Sequence, residues 1–200
     1  MTRLRDALCA PLLIPLLLTD QRTTILADAR RWNDVLGNSG MLPLLRMPEF
    51  RTLYLYRLRS GSRGPYLLSR LLSWIYRPES TLHLLAKSIG PGLFIQHGFA
   101  TIIIAERLGA NCWVNQQVTV GFKDRTGCPV LGDDVTVHAG AKIIGDITIG
   151  SGSTVGANAV VIKDMPPGHT AVGVPARYIP KRPDLQPEFT DPGTLGGHDR

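Results

Sequence analysis

From Leu131 to Val161 an aliphatic side chain returns at every sixth residue: Leu131, Val137, Ile143, Ile149, Val155 and Val161. A half-buried strand alternates with period two and a helix repeats near 3.6. A sustained period of six, with glycine, alanine and small polar residues between the beats, therefore predicts stacked six-residue turns of a parallel β-helix, three turns closing one triangular coil. Turns such as Leu131-Gly-Asp-Asp-Val-Thr and Val155-Gly-Ala-Asn-Ala-Val send the aliphatic residue into a narrow prism. A small residue four positions later fills the remaining space, and Gly or Asn takes a corner where φ is positive. Stacking then pairs backbone N–H and C=O groups with the coils above and below. Ile89 and Ile95 open an earlier run, the phase slips by one with His97 at the slip, and the beat is expected again at Ile102, Leu108, Val114 and Val120. A loop from Phe122 to Val130 separates the two runs, and loops on a rigid scaffold are where function concentrates.

Residues 1–86 read differently. Ile25, Ala29, Trp32 and Leu36 form one stripe at helical spacing, Phe50, Leu53, Tyr54 and Leu58 a second, and Gly37-Asn38-Ser39-Gly40 breaks them. Tyr66 to Tyr76 predicts a buried helix that Pro78 ends. The expected organisation is α+β: an α-helical domain over 1–86, a β-helix over 87–179, and a disordered tail over 180–200, rich in Pro, Gly and charge. With 200 residues and 44% hydrophobic content the chain can bury one sizeable core.

The net charge is +6, but Arg30, Arg31, Arg57, Arg59, Arg63 and Arg70 are dispersed and lack interleaved aromatics. They read as solvated helix faces and not as a nucleic-acid surface. Three cysteines, Cys9, Cys112 and Cys128, without zinc spacing suggest neither a disulfide framework nor a metal, and point to a reducing, cytoplasmic setting. The apolar run Cys9 to Leu18 behind Arg3 and Arg5 imitates a signal peptide. It holds Pro11 and Pro15 and is far shorter than the ~20 residues that cross a bilayer, so a packed first helix or a subunit contact is expected, with no membrane span.

Gly90-Pro-Gly-Leu-Phe-Ile-Gln-His97, Asn115-Gln-Gln-Val-Thr-Val-Gly121, Ala139-Gly-Ala-Lys-Ile-Ile-Gly, Gly156-Ala-Asn-Ala-Val-Val and Gly173-Val-Pro-Ala-Arg177 resemble the serine acetyltransferases of the hexapeptide-repeat superfamily over roughly residues 87 to 179. The resemblance implies a left-handed parallel β-helix, a homotrimer or dimer of trimers, a place in cysteine biosynthesis, and acetyl-CoA as co-substrate in a groove between neighbouring prisms. It makes His97 the general base for direct transfer to an acceptor hydroxyl. An imidazole suits that role because histidine side chains titrate near neutral pH. It also implies that Gly121, Ala139, Gly140 and Ala157 line the CoA arm, that Lys163 and Arg177 meet its phosphates, and that the Gly121 amide lies near the developing oxyanion. Gln96, Arg125 and Cys128 fall where the acceptor would bind.

The chain departs from the family pattern in three places. Gln96 stands where the family has a carboxylate before its histidine. A second carboxylate position falls near Thr81, with Glu79 close by, and the loop reads Asp124-Arg-Thr-Gly-Cys128-Pro where a second histidine is usual. L-serine is the first acceptor expected, a sugar, polysaccharide or specialised-metabolite hydroxyl the alternative. A reading of another class is a non-catalytic β-helix serving as an assembly platform.

Overall fold

The computed structural model describes residues 8–124 and 127–181; the tail expected from Pro180 lies, from residue 182 on, outside the described residues. A 3₁₀ turn (Ala10–Leu12) leads into α1 (Leu13–Leu18), α2 (Arg22–Leu36), α3 (Met41–Leu45), α4 (Pro48–Ser60) and α5 (Arg63–Ile75). Local signals explain their limits. α2 stops at Gly37, which adopts φ 62 and donates its N–H to the Asn33 carbonyl. α4 begins on Pro48 with Glu49 in its first turn and carries Arg57 and Arg59 in its last, matching the helix dipole. The two stripes read from the sequence meet in a core with Trp32, Phe50 and Tyr54 at its centre; only Leu36, at the end of its stripe, is exposed.

Two expectations for this layer are corrected. Arg57 is no solvated charge. It is 3% exposed, and its guanidinium holds Asp28 through Nε–Oδ2 at 2.9 Å and Nη2–Oδ1 at 3.2 Å. It also donates to the carbonyls of Ile89 and Gly90. Asp28 Oδ1 in turn accepts from the Gly92 amide at 2.7 Å, and Trp32 Nε1 donates to the Leu93 carbonyl at 2.8 Å. Burial pushes the Asp28 carboxyl up, while the Arg57 charge and these hydrogen bonds pull against it. The helices thus strap residues 89–93, the stretch that leads to His97. Helix α5, expected to be buried, fully buries only Pro65, Ser69 and Leu72, with Leu68 packed partly against the core. It lies at the margin of the layer, and Leu67, Leu71, Trp74 and Ile75 are 64–84% exposed.

The remainder is a left-handed β-helix of about five coils with three parallel faces. The first face stacks Leu82–Leu84, Thr101–Ile103, Thr119–Gly121, Lys142–Ile144 and Val160–Val161. The second stacks Ser88–Ile89, Arg107–Leu108, Val130–Leu131 and Thr148–Ile149. The third stacks Phe94–Ile95, Trp113–Val114, Thr136–Val137, Thr154–Val155 and His169–Val172. Each face buries one aliphatic column: Ile103, Val120, Ile143 and Val161; Ile89, Leu108, Leu131 and Ile149; Ile95, Val114, Val137 and Val155. On the third face Val114 pairs with Val137, 23 positions on, and Val137 with Val155, 18 on; the excess of five is the loop after Gly121.

The slip is larger than the beat suggests. Ile102 points outward at 38% exposure, while Thr101 and Ile103 are fully buried. The corner before them takes up extra residues, which moves the inward position to Ile103. Aromatic rings seal the helices to the third face, with Trp32 4.7 Å from Phe94 and Phe94 4.6 Å from Trp113 between centroids. At the far end Arg177–Pro180 turns back antiparallel on His169–Val172.

Candidate active site

Four of the prism's corners stack into an edge where the third face turns into the first. In successive coils that edge is Gln96–Ala100, Asn115–Val118, His138–Ala141 and Gly156–Ala159. It is laced by Gln117 N to Phe99 O at 3.0 Å, Gly140 N to Gln116 O at 3.0 Å and Asn158 N to Ala139 O at 2.9 Å. Regular corners place one residue such as Gln117, Gly140 or Asn158 at positive φ. The first coil uses two, His97 (φ 53) and Ala100 (φ 52). Each non-glycine residue held there costs on the order of 1–2 kcal/mol, and strain of this kind gathers at functional sites. The imidazole of His97 is exposed.

Neighbouring residues fix that corner. A Cβ on Gly98 would meet Ile95 Cγ2 at 2.9 Å, Leu82 Cδ2 at 3.0 Å and Glu49 Cγ at 3.3 Å, so glycine lets the start of α4 close on the residue after His97. From below, Glu79 Oε1 accepts from the amide and hydroxyl of Thr81 at 3.2 and 2.9 Å, and Thr81 Oγ1 accepts from the Ala100 amide at 3.0 Å. One coil above, Gln116 Oε1 is buried and has no hydrogen-bond partner among the described residues. A buried acceptor without a donor is costly, which makes Gln116 a candidate ligand contact. Glu49 and Gln116 escaped the sequence reading. Only the Gln-Gln pair before Val118 signalled the latter, and nothing in the order of residues ties Glu49 to Gly98.

Of the residues singled out from the sequence, Gln96, His97, Ala139, Gly140 and Ala157 share this edge. Gly140 has φ 74, and a Cβ there would collide with Asn158 Oδ1. Gly121, Cys128 and Lys163 instead lie along the opposite margin of the first face, where it turns into the second. There Gly127 packs so closely on Asp146 that a Cβ would strike its carboxylate, and Pro129 accepts from the Glu106 amide at 2.9 Å. Cys128 is half-buried, Lys163 is exposed with its carbonyl held by Tyr178 Oη at 2.7 Å, and Arg177 is exposed at the start of the final strand. Arg125 lies outside the described residues, as does His198.

Of the other described histidines, His138 stands two coils up the same edge, while His83 and His169 lie off it. His83 faces a cleft of about 440 Å³ between α4 and the first coil, beside Tyr56, Arg59 and Glu79. Burial, and then Lys181, hold His138 below the usual histidine range. His169 Nδ1 is 2.8 Å from the Pro167 carbonyl. Cys112 lies inside the prism, where burial pushes its thiol up to about 11. Among the described residues no three His, Cys, Asp or Glu side chains assemble as a metal site, and no helix is long and apolar enough to cross a membrane.

A left-handed prism of six-residue turns with a histidine at a doubled corner defines a hexapeptide-repeat transferase, and the family described as bacterial transferase hexapeptide (six repeats) matches residues 128–163. A serine acetyltransferase of Helicobacter pylori is 40% identical over 147 residues, covering 69% of this chain and 85% of that one. The serine acetyltransferase of Escherichia coli is 34% identical over 172 residues, covering 81% and 62%. Crystal structures of the Neisseria gonorrhoeae enzyme and of the soybean enzyme complexed with serine superpose with TM-scores of 0.65 and 0.62. Both are 28% identical and cover 82% and 79% of this chain, and 70% and 69% of theirs. The chain belongs to the serine acetyltransferase family and is an acyltransferase.

Proposed function

We propose that this protein is a serine O-acetyltransferase that moves the acetyl group of acetyl-CoA directly onto an acceptor hydroxyl, L-serine first, with His97 as general base. The observation that carries this reading is the edge itself: in a member of this family, His97 stands exposed at the doubled corner with Gln96, Gln116, Ala139 and Gly140 stacked beside and above it. In the reaction the imidazole takes the hydroxyl proton as the hydroxyl oxygen bonds to the thioester carbonyl carbon. The carbon–sulfur bond then breaks, CoA leaves as its thiolate and takes up a proton, and no acyl-enzyme forms. A base so placed is worth roughly 10²- to 10⁴-fold in rate.

The chain's own residues fit a long, thin acyl donor. Gly121 has no positive φ and a Cβ on it would meet nothing within 4 Å, so glycine here meets no need of the fold and leaves open space beside the loop. Ala139, Gly140 and Ala157 keep the edge low. Lys163 and Arg177 stand at the far end of the prism, several coils from His97 at about 4.8 Å per coil, where phosphates would find cations. Because His97 and the Gly121–Cys128 margin flank opposite sides of the first face, a complete site calls for two prisms side by side, as in a homotrimer whose neighbours each lend one margin. Gln96, Arg125 and Cys128 would then contact the acceptor.

Purified full-length protein with acetyl-CoA and L-serine should release free CoA thiol, and His97→Ala should abolish that release. A second reading, acetylation of a sugar hydroxyl, is favoured by Gln96: a neutral amide beside the base pairs with hydroxyls and gives no counter-charge to a serine ammonium. Release with sugars and none with serine would transfer the assignment to that acceptor class.

A further inference from the structure

The helical layer presents an apolar surface that nothing else in the described chain covers. At 3.6 residues per turn, Leu67, Leu71, Trp74 and Ile75 fall within one arc of α5. Arg63, Arg70 and, just past the helix end, Arg77 repeat every seven residues along one border of that arc, all three exposed. α1 packs alongside and adds Ile14, Leu17 and Leu18, which are 53–67% exposed. Tyr76 Oη donates to the Leu8 carbonyl at 2.7 Å and ties the start of this surface to the end of α5. Trp74, at 84%, is the most exposed of these side chains.

Charge decides what fits there. The sequence has no Asp or Glu between Asp6 and Asp20, nor between Glu49 and Glu79. A two-fold contact with a second copy would bring the arginine row near its own image with no carboxylate on α5 itself and Asp20, which accepts from the Ser62 amide at 3.2 Å, at one end of it only, and like charges in an interface are destabilising. A surface of anionic headgroups supplies the missing charge. α5 has 13 residues, about 20 Å of helix against a hydrocarbon core of about 30 Å, so it cannot span and would lie in the interfacial plane. A Trp/Leu/Ile face bordered by arginines is the pattern of interfacial helices.

We propose that α1 and α5 dock this protein peripherally on an anionic lipid bilayer, with Trp74 and its neighbours entering the acyl boundary and Arg63, Arg70 and Arg77 meeting headgroup phosphates. The full-length protein should co-sediment with phosphatidylcholine vesicles containing one-third phosphatidylglycerol and stay in solution with phosphatidylcholine alone. Binding should weaken as salt is raised, because screening shortens the reach of the arginine charges. The combined Arg63→Gln, Arg70→Gln, Arg77→Gln variant should partition roughly a hundredfold less well at low salt. Vesicles should shift wild-type tryptophan emission to the blue, and Trp74→Phe should remove that shift while leaving co-sedimentation largely intact. Failure to sediment with anionic vesicles, or equal binding to neutral ones, would overturn the proposal. So would a wild type indifferent to vesicles whose oligomer falls apart on Leu71→Gln in sedimentation equilibrium, an outcome that assigns the face to a second copy.

Discussion

The prism and the helical layer are stabilised in opposite ways. Inside the prism, small and middle-sized residues repeat in columns, so each coil leans only on its neighbours and no single side chain is indispensable. In the helical layer a few large or charged groups, Trp32, Tyr54 and the Asp28–Arg57 pair, each bridge several elements. Injury to the prism should therefore stay local. Injury to the helical layer should travel through residues 89–93 into the corner that holds His97.

That contrast is tested most severely by Arg57→Ala. It strands the Asp28 carboxylate in the core and should cost about 3–5 kcal/mol in chemical denaturation, with a loss of activity in whatever protein still folds. His97→Ala is the reverse case. It should lower kcat/KM by at least ~10²-fold, or about 2.7 kcal/mol of barrier, with an unchanged melting temperature. Ile143→Val, in a buried column, should cost only about 1 kcal/mol and leave the kinetics alone. Gly121→Ala should shift stability by less than ~0.5 kcal/mol, since its Cβ meets open space, yet raise KM for acetyl-CoA. The smallest signal is chemical: with its thiol pushed up to about 11, Cys112 is thiolate at roughly one part in a thousand at pH 8, so mass spectrometry after brief alkylation should find it unmodified.

How much of this was legible in the residues follows the same division. Columns built from one repeated contact write themselves into the order of the chain, and all six positions of the beat from Leu131 to Val161 are buried, whereas Met165 and Ala171 beyond it are buried without having been marked by it. Where the repeat is interrupted the order misleads: Ile102 kept the apparent phase but faces outward, because the inserted residues are taken up in the corner at His97 and Ala100. The helical layer was readable as stripes and not as partners. Arg57 reads as one more basic residue until the fold brings Asp28, 29 positions earlier, against it. α5 reads as buried because its many leucines say that it is apolar without saying what, if anything, lies on the other side. The edge containing His97, Ala139, Gly140 and Ala157 was anticipated by motif, whereas Glu49 and Gln116 became visible only through packing and an unmatched acceptor.

The returning strand Arg177–Pro180 has a meaning for the life of the molecule in solution. A stack of parallel coils has no natural end, and its last rung offers bare N–H and C=O groups to any similar stack that drifts by. By folding back in the opposite direction onto His169–Val172, the chain uses Arg177–Pro180 to close its own ladder, and Lys181 further anchors the turn by donating to the Gly152 carbonyl at 2.7 Å. A chain cut short before Arg177 would keep its repeats but lose this stopper, and prisms free to join end to end would grow into fibres.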